Sequence, residues 1–192
     1  MSRPLPVLAV ASVLCAWLPA AASAQSPTTP PKDSIQADAA FIRHQAADNM
    51  LEVQLGQLAE HHAMNPIVQK FGEKMAIDHQ KLQDQWTGLA EKHGMRFKPA
   101  LASAQQAKIS RLEKIDRSTF DRDYVITMIK GHTRDAADLK AAVDSARSEP
   151  VRKMAAYALP IVQEHLQNAR AAAKEIGLDS SAVARSKVAE ND

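Results

Sequence analysis

The sequence predicts an all-α protein built around four long helices. Three observations carry this. The 192 residues include 35 Ala but only 6 Gly, and Ala is the strongest helix former while Gly is a weak one. Aromatic residues make up 4%, whereas strands favour aromatic and β-branched side chains. Apolar residues recur three and four apart over four long stretches, the spacing of one helix face. This balance excludes a β-sandwich, a barrel and a Gly-rich nucleotide fold, and the length predicts one domain.

Residues 1–24 hold a single charge, Arg3, then an apolar run from Leu5 to Leu18 and the small-residue site Ala22-Ser23-Ala24. This reads as a secretory signal peptide cleaved before Gln25. The rival is an uncleaved anchor, since residues 4–24 are uncharged and long enough to span a membrane; Pro4, Pro6, Pro19 and the Ala-x-Ala site argue against it. The only cysteine, Cys15, lies inside the apolar run and leaves with the signal. The expected mature chain of 168 residues (192 less 24) has no thiol for a disulfide, a thiolate metal site or a nucleophile. Export to the periplasm follows.

Residues 25–32 form a Pro/Thr-rich linker, and the helical domain spans 33–177. Asp33 with Gln36 predicts a capping box opening the first helix, about 34–62. Asn65-Pro66 supplies an N-cap and a first-turn proline for the second helix. Its apolar set is Val68, Phe71, Met75, Leu82, Trp86 and Leu89, with His79 filling the gap, and Gly94 marks its end. A long connection follows, with a weaker helical stretch at about 101–115. Ser118 with Asp121 predicts a capping box for the third long helix, about 119–146. Ser148-Glu149-Pro150 opens the fourth, which ends near Ile176-Gly177 and carries Pro160 inside it as an expected kink. Residues 178–192 read as a polar, frayed tail.

The connections set the topology. Two short turns make two antiparallel hairpins, and the join between them is long enough to cross the length of a bundle. Two hairpins with one long crossover, here carrying a short helix, is the ferritin-like variant of the four-helix bundle. A simple up-down-up-down bundle is the runner-up.

Net charge is +2 with acids and bases interspersed, which excludes a strong nucleic-acid footprint. The mature chain has no 18-residue apolar segment and no run of alternating strands, so it is expected to be soluble or membrane-peripheral. No Walker-type loop, dinucleotide glycine pattern or Gly-x-Ser-x-Gly occurs.

Chemistry therefore has to come from polar groups on buried helix faces. His44, His61, His62 and His93 lie near helix ends or among polar neighbours and read as surface residues. His79, His132 and His165 each stand in an apolar row. Glu52 shares a row with Asn49, Gly56, Ala59 and Ala63, whose small side chains let helices approach closely. Glu52 and His79 lie about 20 Å from the first turn, and His132 and His165 about 25 Å from the second, at about 1.5 Å rise per residue. In a crossover bundle all four fall near the middle. A shared Glu52/His79/His132/His165 centre suits zinc, iron or copper. Met75 and Met128, one turn before His79 and His132, are expected core residues whose thioethers would favour copper if they ligate. The alternative is a hydrogen-bonded polar network without metal, involving Glu52 and acids such as Asp48, Asp78 and Asp135. A di-iron carboxylate site needs Glu-x-x-His on two helices, and the chain has none. His79 follows Asp78 and His165 follows Glu164, and such adjacent residues point about 100° apart.

The pieces NPIVQKFGEKMAIDHQKL (65–82), GLAEKHG (88–94), FDRDYV (120–125) with Met128 and His132, and ALPIVQEHL (158–166) resemble an exported bacterial family of unknown function. That family is classed as ferritin-like and often labelled as outer-membrane proteins. The resemblance covers about residues 37–177 and implies a ferritin-like bundle outside the cytoplasm, with no established activity. Three functional readings follow. The first is a transition-metal binder in envelope stress or metal handling. The second is a structural or interaction module that binds an envelope partner or another copy of itself. The third, and least supported without Glu-x-x-His, is a redox-metal enzyme.

Overall fold

A computed structural model of the chain describes residues 32–96, 98–179 and 183, with the side chains of 32–37 left undescribed. The signal peptide and nearly all of the linker expected from the sequence lie outside the described residues. Among those described, the protein is all-helical: α1 (Lys32–His62), α2 (Pro66–Lys92), α3 (Ser103–Glu113), α4 (Arg117–Ser145) and α5 (Glu149–Glu175). None of these helices is long and apolar enough to cross a membrane.

The termini follow local chemistry. Asn65 caps α2, its side chain accepting from the Ile67 N–H at 2.8 Å, with Pro66 at the first helical position. Gly94 and Gly177 follow α2 and α5 with φ of 69° and 73°, the left-handed conformation that glycine adopts without steric cost. Three expectations concern helix ends and the tail. First, α1 is described from Lys32 onward, and the capping box expected of Asp33 and Gln36 rests on side chains outside the described ones. Second, α4 begins at Arg117 with Asp116 as N-cap, and Asp121 does not cap its own helix. Its two carboxylate oxygens accept from the backbone N–H groups of Met64 and Asn65, at 3.0 and 2.8 Å. Third, the segment after Gly177 is not wholly a solvated tail: Leu178 and Val183 pack against the core. Helix α5 continues through Pro160.

α1 packs along α2 and α4 along α5, with further contacts between α2 and α5 and between α1 and α4. Phe41 meets Trp86, Asn49 meets His79 and Gly56 meets Ala76. Rising α1 numbers meet falling α2 numbers, so this pair is antiparallel. Gly56 and Gly72 allow the closest approach: a Cβ on Gly56 would come within 2.7 Å of the Gly72 carbonyl oxygen, and one on Gly72 within 2.7 Å of the Gly56 oxygen. Gly56 belongs to the small-residue row seen in the sequence, and Gly72 is its unforeseen partner. The long connection brings the start of α4 back to the α1–α2 turn. There Arg117 donates to the carbonyls of His61 and His62, next to the Asp121 contacts.

The core is split in two. One apolar cluster, near the α1–α2 turn, contains Leu55, Phe71, Met75, Phe120, Tyr124 and Met128. The other, toward the α4–α5 turn, contains Ile42, Leu82, Trp86, Leu139, Val151 and Val162. Along each long helix the boundary falls at buried polar residues: Asn49 and Glu52 on α1, His79 on α2, His132 on α4 and His165 on α5.

Candidate metal centre

The three histidines singled out by sequence come together in this polar layer. His79 is 3% exposed and His132 and His165 are fully buried. His79 Nε2 lies 3.3 Å from His132 Nε2 and 3.2 Å from His165 Nδ1. One nitrogen of each ring shares a cluster whose members all lie within 4.8 Å of one another.

The outer nitrogens assign the protons. His132 Nδ1 lies 3.1 Å from the Met128 carbonyl oxygen, which can only accept, so Nδ1 carries the hydrogen. His165 Nε2 faces a carboxylate oxygen of Asp78 at 3.2 Å and donates to it. His79 Nδ1 lies 2.9 Å from Asn49 Oδ1. Asn49 is oriented by its own amide, which donates to the Gln45 carbonyl at 2.7 Å, so its oxygen accepts from His79. A neutral imidazole has one N–H and one lone pair. With every N–H turned outward, the three lone pairs converge.

The surroundings favour neutral rings. Burial pushes the His79 pKa well below the ordinary imidazole range, and neighbouring His132 and His165 add to this. Burial takes His132 down to about 3. It also lowers His165, with the Asp78 carboxylate acting in the opposite direction. Asp78 is held by Lys74 at 2.9 Å and Lys81 at 3.3 Å. Lys74 also reaches Glu164 on α5 at 3.2 Å.

Glu52, the fourth expected ligand, falls in a second group. Its carboxylate, one nitrogen of His132 and the carboxylate of half-buried Asp135 lie within 4.8 Å of one another. Glu52 is 6% exposed, and its Oε2 has no hydrogen-bond partner among the described residues. Burial first, then the charges of Asp135 and Asp48, push its pKa well above the ordinary carboxylate range. Burial brings Asp135 up to about 7. Met75 and Met128 are fully buried in the apolar core.

Of the four histidines expected at the surface, His44 and His61 are exposed and His93 is half-buried. His62 is half-buried too, with its ring 5.8 Å from that of Phe120 and a buried Nδ1 that has no partner among the described residues. Sequence reasoning did not find the orienting role of Asn49. The signal was there: an amide on the same row as Glu52, three residues before it.

The pattern of DUF4142, a domain of unknown function, matches residues 20–172, which is 153 of the 192 residues. No curated protein and no solved structure matches the chain. The chain therefore belongs to the DUF4142 family, a domain of unknown function.

Proposed function

We propose that this protein is an exported, periplasmic bundle protein that holds one transition-metal ion between His79, His132 and His165, in a metal-handling or envelope-stress role. The convergence of three lone-pair nitrogens carries this reading. Imidazole ligands characteristically donate their other N–H to a carboxylate, carbonyl or similar group that fixes the tautomer, and each ring here does so. Three nitrogens held about 2.0–2.1 Å from a tetrahedral ion are about 3.3–3.4 Å apart, close to the 3.3 and 3.2 Å separations present. Zinc, iron and copper all accept imidazole. Glu52 lies beside this set as a nearby carboxylate.

The competing reading is a metal-free hydrogen-bond network in a structural or interaction module. The same distances favour it, because they fall within hydrogen-bond range. A network needs a proton between the rings, however, and all three N–H groups point away. It therefore requires an imidazolium in a site whose burial opposes one. A metal ion supplies the positive centre without that proton.

The ferritin-like arrangement is part of the same proposal. It is supported by the two helix pairs and by the return of α4 to the α1–α2 turn, where an up-down-up-down chain would place the opposite end. Export is supported by the apolar stretch before Ala22-Ser23-Ala24.

The test is metal analysis and thermal unfolding of untagged protein, stripped with chelator and titrated with Zn2+, Cu2+ or Fe2+. A ligand at about 100 times its Kd stabilises the folded state by about 2.7 kcal/mol. One ion per chain and a raised Tm, both absent in His79→Ala/His132→Ala, are the expected results. No bound metal and no shift with any of the three ions would leave the network reading.

A further inference from the structure

A pocket of about 410 Å3 opens between α1, α3 and α4. Its roof is the α3 segment, fastened to α1 by Gln105 Nε2 donating to Asp48 Oδ1 at 2.7 Å. Its lining includes Glu52 and Asp135. The same two carboxylates also line a narrower cavity that reaches Asn49 and His79. They therefore border both the open pocket and the cavity that reaches His79, as does Asp48. Glu52 is a buried acid with a carboxylate oxygen that no described residue satisfies, and such a group is costly unless a cation or proton meets it.

His132 belongs to both clusters, yet its Nδ1–H is committed to the Met128 carbonyl. Only Nε2 has a free lone pair. One nitrogen lone pair serves one ion at a time, so the two clusters cannot both hold an ion through His132 at once.

We propose that Glu52 and Asp135 form a loading position for a divalent transition-metal cation. The cation arrives through the pocket beneath α3 and passes to the three-histidine centre with His132 as the shared ligand. This depends on the metal reading above and adds a route and an order of ligands to it. Lys108 and Arg134 also line the pocket and oppose a cation's approach, so the attraction comes from the carboxylates of Asp48, Glu52 and Asp135.

The test is stopped-flow loading of the metal-free protein with Co2+ alone, followed by its visible ligand-field absorption. Wild type is compared with Glu52→Gln, Asp135→Asn and Ala104→Trp. Glu52→Gln keeps the shape while removing a carboxylate that a cation can bind. Ala104→Trp fills the pocket from an exposed position on α3 and touches no ligand. Each variant is expected to load at least about ten-fold more slowly, the scale of electrostatic and access effects on association, and to saturate at one Co2+ per chain. Unchanged rates in both carboxylate variants overturn the loading position while leaving the three-histidine centre in place. An unchanged rate in Ala104→Trp overturns the route. Saturation at two Co2+ per chain overturns the shared-ligand order. A wild type that takes up no Co2+ overturns this proposal and the metal reading together.

Discussion

His79 Nε2 and His165 Nδ1 lie 3.2 Å apart, and neither ring has a proton to place between them. The cause lies one shell out. Asn49 takes the N–H of His79 and Asp78 takes that of His165. Asn49→Leu keeps the volume and removes the acceptor. We expect it to weaken Zn2+ binding about 10–100-fold, the usual effect of losing such a partner, while the protein stays folded. Competition against a chromophoric chelator measures this, and an unchanged affinity would mean that Asn49 does not set the His79 tautomer.

The two glycines of α2 give a test of packing in which one substitution has opposite signs. A Cβ on Gly72 would lie 2.7 Å from the Gly56 carbonyl oxygen and 2.8 Å from the Glu60 nitrogen, and neither backbone atom can swing aside. The α1–α2 pair must part, so Gly72→Ala should destabilise by about 1–3 kcal/mol, the range for overpacking. A Cβ on Gly88 meets nothing within 4 Å. Gly88→Ala should stabilise by about 0.5–1 kcal/mol through helix propensity alone. Urea unfolding of the pair measures both, and equal signs would refute the close approach.

Legibility follows the range of the interaction. His79, His132 and His165 were readable because each interrupts an apolar row, and counting from the turns gave their common depth. The Asn65 and Gly94 ends of α2 were readable because caps are local. Asp78 is an expected network acid and not a co-ligand of His79, because the two point about 100° apart on their helix. That divergence is what turns it toward His165, 87 residues away in sequence. Glu52 is buried as expected, and Asp135 is among the acids named with it, but the periodicity of single helices does not pick Asp135 over Asp48 and Asp78 as the acid that groups with Glu52 and His132. The Gly56–Gly72 contact escaped for the same reason: one glycine was noted, and its partner appears only when two helices are docked.

Asp121 is the clearest case of a local pattern used at a distance. It fitted a capping box with Ser118, yet it receives the N–H groups of Met64 and Asn65, at 3.0 and 2.8 Å. Asp121→Ala should therefore cost about 1.5 kcal/mol, at the low end for hydrogen bonds to a charged group because the site is partly solvated. Asp121→Asn, which retains one acceptor, should cost less. Amide hydrogen exchange locates the effect. Faster exchange at Met64 and Asn65 is expected, and loosening confined to residues 117–120 would restore the capping-box reading.

The buried acids predict how the chelator-treated protein responds to pH. Glu52 titrates well above its ordinary range when folded, because burial penalises the carboxylate, and Asp135 titrates at about 7 for the same first cause. Between the unfolded and folded pKa values the native state holds protons that the unfolded chain has released, so stability falls as pH rises. The buried histidines have the opposite sign. Their folded pKa values are depressed, so they reduce stability below pH about 6.5 and contribute no slope above it. His44, whose pKa is raised by its hydrogen bond to Asp48, adds a decline of the same sign as the acids, and Glu52→Gln leaves it in place. From pH 6.5 to 8.5 in chelator, wild-type stability should decline, with each fully differential proton contributing at most about 1.4 kcal/mol per pH unit. Glu52→Gln should be more stable than wild type at pH 8 and show a shallower decline. Urea unfolding across that range decides it: parallel curves for the two proteins would mean that Glu52 ionises freely in the folded state, and so is not the desolvated acid facing His132 and Asp135.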